Sequence, residues 1–372
     1  MKKILVILLL IGVQTSIFAQ DYNVVKEKDA LRKLYRKEIR IPNIGDYETL
    51  KCDFHIHTIF SDGSVWPTIR VQEAYYEGLD AIAITDHIEN QPSKKHIGGD
   101  QNSAYEIAKP EAENLNLLLV KAGEITRGMP PGHLNALFVA DVAALETEKY
   151  MDAIKEANNQ GAFVMWNHPG WQAMQPDTCK WWDIHEEIYK RGWLHGIEVY
   201  NWDEWYPISF DWCINKNLSF IANSDIHIVA SHRFNYERYK RPMTLVFAEI
   251  RNLDGLKDAM FEKRTVAFFA NQLAGPENLL KQLFEASIKI KKPFKTEKEI
   301  AFFEISNPTD LTFILENGSP KHKSPKKIEI FPGSTVIVKC AIPNESITLP
   351  YTITNLHSGM GKNLTIELPI NK

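Results

Sequence analysis

Residues 52–63 read Cys-Asp-Phe-His-Ile-His-Thr-Ile-Phe-Ser-Asp-Gly. In an extended strand alternate side chains point to the same face, so His55 and His57 can reach one cation. Asp62 follows in the adjoining loop and can add a carboxylate oxygen. By itself the pattern also fits a pair of polar or partly buried histidines. The remainder of the chain has to decide between the two interpretations.

Histidine or acidic residues also adjoin several other short apolar runs. Such runs are typical of buried strands, and a barrel with its site at the carboxyl ends of its strands produces this placement. The runs with their polar neighbours are 79–84 with Asp86 and His87, 117–123 with Glu124, 134–139 after His133, 162–166 with His168, and 218–222 with Asp225 and His227.

Helical periodicity recurs between these runs. Strand–helix alternation at this spacing predicts an α/β fold with parallel strands. Pro67 and Gly78 bracket the first predicted helix, at its start and just past its end. Further helices are predicted near 103–115, 146–159, 181–191, 205–216 and 253–263.

Together these motifs resemble those of the PHP (polymerase and histidinol phosphatase) family of metal-dependent phosphoesterases. The matching motifs are His55-x-His57 with Asp62, Thr85-Asp86-His87, Glu124 with Gly132-His133, Asn167-His168-Pro169, and Asp225-x-His227. They follow the family's order and cover roughly residues 48–270. The resemblance implies a distorted (β/α)7 barrel. Asp62 stands where many members have His, which leaves the identity of the metal open.

The resemblance also implies a site for two or three divalent metal ions. Imidazoles and carboxylates without thiolates suit zinc, manganese or iron. In the family's arrangement the first metal would have His55, His57 and Asp225, the second His133 and His168 with Glu124 as the bridge from the first, and the third Asp62, His87 and His227. A hydroxide between two cations would then attack phosphorus, while the metals absorb charge on the other phosphate oxygens.

Four further polar residues are candidates for catalysis, and each has a plainer alternative. Asp86 either orients a ligand imidazole or participates directly. Arg127 and Arg233 are placed to clamp a phosphate or to form surface ion pairs. His232 could protonate a leaving group or be a solvated loop residue.

Eight of the nine tryptophans lie between Trp166 and the end of the predicted helix 205–216. Trp171 follows the motif that ends at Gly170, and Trp202 follows a predicted strand. We therefore expect these two side chains to rim the site and to stack on a flat organic group. Packing between helix and loop is the alternative for both.

Composition and the N-terminus bear on location and partners. A formal charge of −4 and a pI near 6.3 give no electrostatic basis for docking nucleic acid. Residues 1–19 combine a positive start, a short apolar run and a small residue at Ala19, which predicts a cleavable signal peptide and export to a bacterial periplasm. A buried N-terminal helix is the alternative. No cysteine lies at the cleavage site, and the apolar run is short for a membrane span.

The rest of the chain divides into three predicted parts. Residues 20–47 form an extension with a surface helix over 26–40, residues 48–284 the barrel, and residues 285–372 a small antiparallel β-sandwich. The sandwich shows no ligand-type residues, so packing on the barrel or mediating contacts is its expected role. Cys52 is expected to be buried, and spacing leaves any pairing of Cys179, Cys213 and Cys340 open.

Three functions follow from these patterns. The first is hydrolysis of a small-molecule phosphoester with an organic, ring-shaped group, with diesters favoured because few cations adjoin the metals. The second is metal-dependent hydrolysis of a non-phosphate bond, since the same nucleophile attacks carbonyl groups. The third is a non-catalytic binding module, which the complete set of nine ligand-type residues disfavours.

Overall fold

The computed structural model describes residues 33–175, 178–343 and 346–371, together with Glu27 and Leu31. The predicted signal peptide, residues 1–19, lies outside these residues. The described residues up to Tyr35 belong to one unit, and Arg36 begins the second, which holds the strands and helices of the described residues. Within the described ranges, no helix has the length and apolar character needed to cross a bilayer.

The strands fall into two groups along the chain. Those of the first part are β1 (Glu48–Asp53), β2 (Ala81–Ile84), β3 (Leu118–Ile125), β4 (Leu134–Leu137), β5 (Phe163–Trp166), β6 (Gly196–Asn201), β7 (Glu204–Trp205), β8 (Ser219–Asn223), β9 (Met243–Ala248), β10 (Thr265–Phe269) and β11 (Gln272–Ala274). Those of the second part are β12 (Lys289–Ile290), β13 (Lys295–Glu297), β14 (Ile300–Ser306), β15 (Phe313–Glu316), β16 (Lys327–Ile330), β17 (Thr335–Ala341), β18 (Ser346–Gly359) and β19 (Lys362–Asn371).

The α-helices of the described residues all belong to the first part, and six of the eight occur close to where periodicity predicts them. They are α1 (Pro67–Glu77), α2 (Ser103–Asn114), α3 (Tyr150–Asn159), α4 (Asp183–Lys190), α5 (Pro207–Lys216), α6 (Ala230–Arg233), α7 (Leu253–Phe261) and α8 (Glu277–Ser287). The helices at 230–233 and 277–287 are not predicted. Pro67 is the first residue of α1, and Gly78 ends it with a left-handed backbone conformation, as the sequence predicts.

The first part is the predicted distorted α/β barrel. Parallel pairing joins β1 to β2, β2 to β3, β5 to β6 and β6 to β8. An apolar cluster fills the interior and includes Leu50, Ala83, Val120, Phe163 and Ile221 from five of these strands. α7 adds Leu256, Ala259 and Met260 to the same cluster. Polar side chains can therefore lie at the strand ends, outside the apolar interior.

Several strands of the first part run against the predicted parallel direction. β4 is antiparallel to β3 and β5, and β9 is antiparallel to β1. The connection from Ile125 to Leu134 contains no helix, and a parallel crossover would need a dozen or more residues. The amino end of β4 therefore lies at the edge where its neighbours have their carboxyl ends.

The second part is the predicted β-sandwich. One of its sheets contains β12, β13, β14 and β17, while β15, β16, β18 and β19 continue the barrel sheet through the parallel pair β11–β18. Sequence patterning missed β18, in which Pro350 interrupts the run but alternating side chains are buried. The boundary predicted after residue 284 falls inside α8, which ends at Ser287.

The surface helix predicted over residues 26–40 is wrong for its described part. Residues 33–40 contain no helix. The Lys37 N–H donates to the Tyr76 carbonyl, and the Arg36 guanidinium reaches the Asp80 carboxylate at 2.8 Å. These contacts, with α1 and with Asp80 just before β2, hold the segment extended and replace the hydrogen bonds of a helix.

Candidate metal centre

The nine predicted ligands meet at one end of the barrel. His55, His57 and Asp62 follow β1, His87 follows β2, Glu124 lies near the end of β3, His133 precedes β4, His168 follows β5, and Asp225 and His227 follow β8. His133 joins the cluster from the amino end of its strand because β4 is antiparallel. The structure therefore brings together all nine residues that the sequence selects.

Their donor atoms form three overlapping groups. Within each group the potential ligand atoms lie no more than 4.8 Å apart. The groups are His55 with His57 and Asp225, His57 with Asp62, His87 and His227, and His87 with Glu124 and His133. The first group coincides with the first metal site implied by the family resemblance. His168 Nε2 lies 3.8 Å from Glu124 Oε1 and falls outside the third group.

Asp225 and Glu124 are the acidic centres of the cluster. Asp225 Oδ1 lies 3.2 Å from His55 Nε2 and 3.0 Å from His57 Nε2. Glu124 Oε1 and Oε2 each lie 3.4 Å from the Nε2 atoms of His55 and His57, respectively. Burial raises the pKa of Glu124, but the imidazoles of His87 and His55 outweigh it and hold the pKa well below its usual range.

The donor atoms fit divalent metal ions. Several buried polar atoms at the site have no hydrogen-bond partner: Nε2 of His55, Nε2 of His57, Nδ1 of His133, Nδ1 of His168, Oε2 of Glu124 and Oδ1 of Asp225. A buried polar atom without a partner is destabilising by about 1–3 kcal/mol. Imidazole nitrogens and carboxylate oxygens converging on one space match the preferences of borderline and hard cations.

Glu198 supports the cluster and was missed by the sequence analysis. It is fully buried in β6. The Nδ1–H of His55 and the Nδ2–H of Asn223 donate to Oε1, each at 2.8 Å. The backbone N–H of His168 and the Nδ2–H of Asn201 donate to Oε2, also at 2.8 Å. Glu198 thereby fixes His55 in the tautomer whose Nε2 lone pair faces the cluster.

Asp86 acts on the loop after β1 and does not contact His87 through a hydrogen bond. Its carboxylate accepts from the Thr58 N–H and Oγ1–H, each at 2.6 Å, and from Ser61 Oγ–H at 2.7 Å. Ser61 Oγ in turn lies 3.3 Å from His57 Nδ1. Asp86 therefore orients a ligand imidazole, as one prediction holds, but that imidazole is His57.

Arg127 and His232 have the surroundings of their plainer alternatives, an ion pair and a solvated surface position. Arg127 pairs with Glu89 and donates to the Thr126 and Thr147 carbonyls. These partners hold its guanidinium. Glu89 and Thr147 are distant in the sequence, so the spacing of residues does not reveal them. His232 is exposed on α6.

Arg233 lies at the rim of the site. Its guanidinium stacks 4.2 Å from the Trp202 ring and donates to Asp203 Oδ2 at 3.3 Å. The surface ion-pair alternative thus describes its contact with Asp203, while the stacking places it beside the cavity wall.

A cavity of about 470 Å³ opens above the cluster. Trp171 and Trp202 both line it, together with Asn201, Asp203 and Glu204. The Trp171 ring is 5.3 Å from that of His168, and the Trp202 ring is 6.2 Å from that of His227. The two aromatic side chains thus adjoin different histidines of the cluster.

All four cysteines are free thiols. Cys52, Cys213 and Cys340 are buried, and burial raises the pKa of Cys340 to about 11. Cys52 is a small buried residue of the barrel interior, as predicted.

Comparisons with known proteins agree with both parts of the chain. A two-domain protein from Bacteroides vulgatus, containing a predicted PHP-like metal-dependent phosphoesterase, is 40% identical, with a TM-score of 0.88 over 91% of this chain and 100% of that chain. An uncharacterized protein of Methanocaldococcus jannaschii is 28% identical over 156 residues, which are 38% of this chain and 69% of that protein. A family model of an Ig-like domain matches residues 288–369.

Proposed function

We propose, since the chain belongs to the family of PHP-like metal-dependent phosphoesterases, that it hydrolyses a phosphoester whose organic group lies between Trp171 and Trp202. Its broader character is that of a metal-dependent hydrolase. The observation that carries the proposal is the convergence of nine ligand-type side chains below an aromatic-walled cavity.

Each part of the site has a distinct task in this reaction. Bound divalent ions lower the pKa of water and neutralise charge on phosphate oxygens. His55, His57 and Asp225 would hold one ion, and Glu124 would help to hold a second. The Nδ2–H of Asn167 donates to Glu124 Oε1 at 2.7 Å and restrains that carboxylate.

The charges around the cavity support a diester as the substrate. Asp203 and Glu204 line its outer part. Among the described residues that line the cavity there is no lysine or arginine, and Arg233 at the rim is paired with Asp203. A dianionic monoester would therefore depend on the metals alone, whereas a diester brings one negative charge fewer to an acidic wall.

The test compares kcat/KM for an aryl phosphodiester, an aryl phosphomonoester and a small alkyl phosphomonoester. Metal-loaded wild type, Trp171→Ala and the control Trp66→Ala should be assayed, since Trp66 is exposed and does not line the cavity. We expect the aryl diester to be the best substrate, and Trp171→Ala alone to lower its kcat/KM by about one to two decades. Preference for the alkyl monoester with no effect of Trp171→Ala would contradict the proposal.

We also propose that the protein is exported to a periplasm through residues 1–19. The basis is the sequence pattern alone. Fractionation of bacteria that express the full chain, with sequencing of the mature N-terminus, tests it. A cytoplasmic protein that retains Met1–Ala19 would contradict export.

A further inference from the structure

We infer that the C-terminal β-sandwich positions the outer wall of the cavity, with His357 and Trp205 as the positioning residues. The inference concerns how the organic group of the substrate is bound, and in that respect it rests on the proposed function. It gives the second domain a role in substrate binding, although that domain contributes none of the nine ligand-type residues.

The outer wall is the turn between β6 and β7. In this hairpin Tyr200 pairs with Trp205, and Asn201 pairs with Glu204. The four residues from Asn201 to Glu204 all line the cavity. Their position therefore decides the shape of the space in which an organic group can lie.

The turn is not stabilised by its own strand pairing alone. β7 is only two residues long. Trp202 has a φ of 57°, in the left-handed region that non-glycine residues adopt only when their surroundings enforce it. The Trp202 N–H donates to the Asn223 carbonyl at 3.3 Å, and the Tyr206 hydroxyl donates to Glu204 Oε2 at 2.9 Å. Arg233 adds contacts to Trp202 and Asp203 at the rim, and the side of the hairpin that faces away from the cavity adds further support.

Trp205 provides that support through aromatic contacts behind the wall. Its ring centroid is 5.3 Å from that of His357, 5.8 Å from that of Phe210 and 5.9 Å from that of Phe269. His357 also stacks on Phe210, with centroids 5.9 Å apart. Of these partners, only His357 belongs to the β-sandwich, where it lies on β18.

His357 is itself held rigidly between the two domains. It pairs with Ala274 where β18 runs parallel to β11. Its Nε2 lies 2.9 Å from Gln272 Oε1, and its Nδ1 lies 2.9 Å from Asn363 Oδ1. Three residues on, the Met360 N–H donates to Asp211 Oδ1 at 2.8 Å. The domain junction thus fixes one face of the Trp205 ring.

This geometry separates substrate binding from metal binding. The contact runs from His357 to Trp205, which adjoins Glu204 in β7, and none of these three residues belongs to the three groups of potential ligand atoms. Loss of the support should loosen the wall while the metal cluster stays intact. Substrates with a large organic group should be affected, and small ones should not.

The experiment uses the full chain with His357→Ala, Trp205→Ala, the double variant and Trp205→Phe, which keeps an aromatic face against His357. Ile337→Ala is the control, because Ile337 is exposed on β17 in the other sheet of the same domain. Metal content, hydrogen–deuterium exchange, and KM and kcat for an aryl diester and a small alkyl ester are measured for each protein.

We expect faster amide exchange over residues 199–206 in both alanine variants, with unchanged exchange over residues 52–62 and unchanged metal content. KM for the aryl diester should rise about two- to tenfold, the range expected for loss of one aromatic pair. The double variant should add little to either single variant, and Trp205→Phe should restore most of the affinity.

Two results would overturn the inference. The first is unchanged exchange over residues 199–206 in both alanine variants, a measurement that is valid whether or not the protein hydrolyses phosphoesters. The second is a fall in kcat for all substrates in proportion to lost metal, which would mean a general role in stability. Failure of the metal-loaded wild type to hydrolyse any phosphoester would instead refute the proposed function, and the exchange data would still decide the positioning role.

Discussion

Replacement of Glu198 by Gln should weaken metal binding without removing any ligand. In wild type the two carboxylate oxygens accept four hydrogen bonds, two at each oxygen and each 2.8 Å long. A glutamine presents an NH₂ group to one of these pairs of donors. Either the His55 Nδ1–H or the His168 backbone N–H then faces another donor inside the protein.

The magnitude follows from the loss of partners at a fully buried position. A buried donor without an acceptor is destabilising by about 1–3 kcal/mol, which corresponds to about one to two decades in an equilibrium constant. Loss of second-shell partners of metal-binding histidines typically reduces metal affinity about 10- to 100-fold. Both estimates predict a metal Kd that is higher by at least about tenfold in Glu198→Gln.

The assay is competition for Zn²⁺ or Mn²⁺ against a chromophoric chelator at fixed pH. Glu204→Gln is the matched control, because Glu204 lines the same cavity but accepts its hydrogen bond from the Tyr206 hydroxyl, which belongs to no group of ligand-type residues. A Kd for Glu198→Gln within about twofold of wild type would refute the reasoning, since it would show that His55 needs no acceptor at Nδ1 to present Nε2.

Three other results are expected. Elemental analysis of protein purified without chelators and resupplied with metal should find two or three divalent ions per chain, and one or none would exclude a multinuclear site. At matched metal occupancy, Glu124→Gln should lower kcat by at least about 100-fold, because the carboxylate adjoins more than one group of ligands. Arg127→Ala should change kcat less than about threefold, because Arg127 pairs with Glu89. Equal losses of kcat in the two variants would contradict these roles. Arg70→Met should lower the free energy of unfolding by about 3–5 kcal/mol, because the buried guanidinium pairs with Glu73 and donates to carbonyls of two of the loops that carry ligand-type residues. Urea titration tests this value beside Arg191→Met, which breaks an exposed pair and should have an effect below about 1 kcal/mol.

The ligands could be found from the sequence because their chemistry and their placement are both local signals. Alternation places His55 and His57 on one face of a strand, and an apolar run that ends in a histidine or carboxylate marks a strand end. The direction of a strand does not enter this argument. His133 therefore lies in the cluster although β4 runs antiparallel to β3.

Side chains that need distant partners were harder to place. Arg127 was a candidate phosphate clamp because it lies three residues after Glu124. Its actual partners, Glu89 and the Thr147 carbonyl, come from other connections of the barrel. A flexible side chain can reach many groups, and sequence separation does not indicate which of them is nearest in the fold.

Glu198 shows what signal was available for the supporting residues. It stands within the apolar run Gly-Ile-Glu-Val-Tyr of residues 196–200. A carboxylate is almost never fully buried unless it is paired or hydrogen-bonded, so its presence inside a predicted barrel strand already requires several donors nearby. Those donors prove to be two amides, one backbone N–H and one ligand imidazole. The four hydrogen bonds satisfy the buried carboxylate of Glu198, and one of them holds His55. Glu198 therefore supports the metal site at a position where an unpaired carboxylate would be unfavourable.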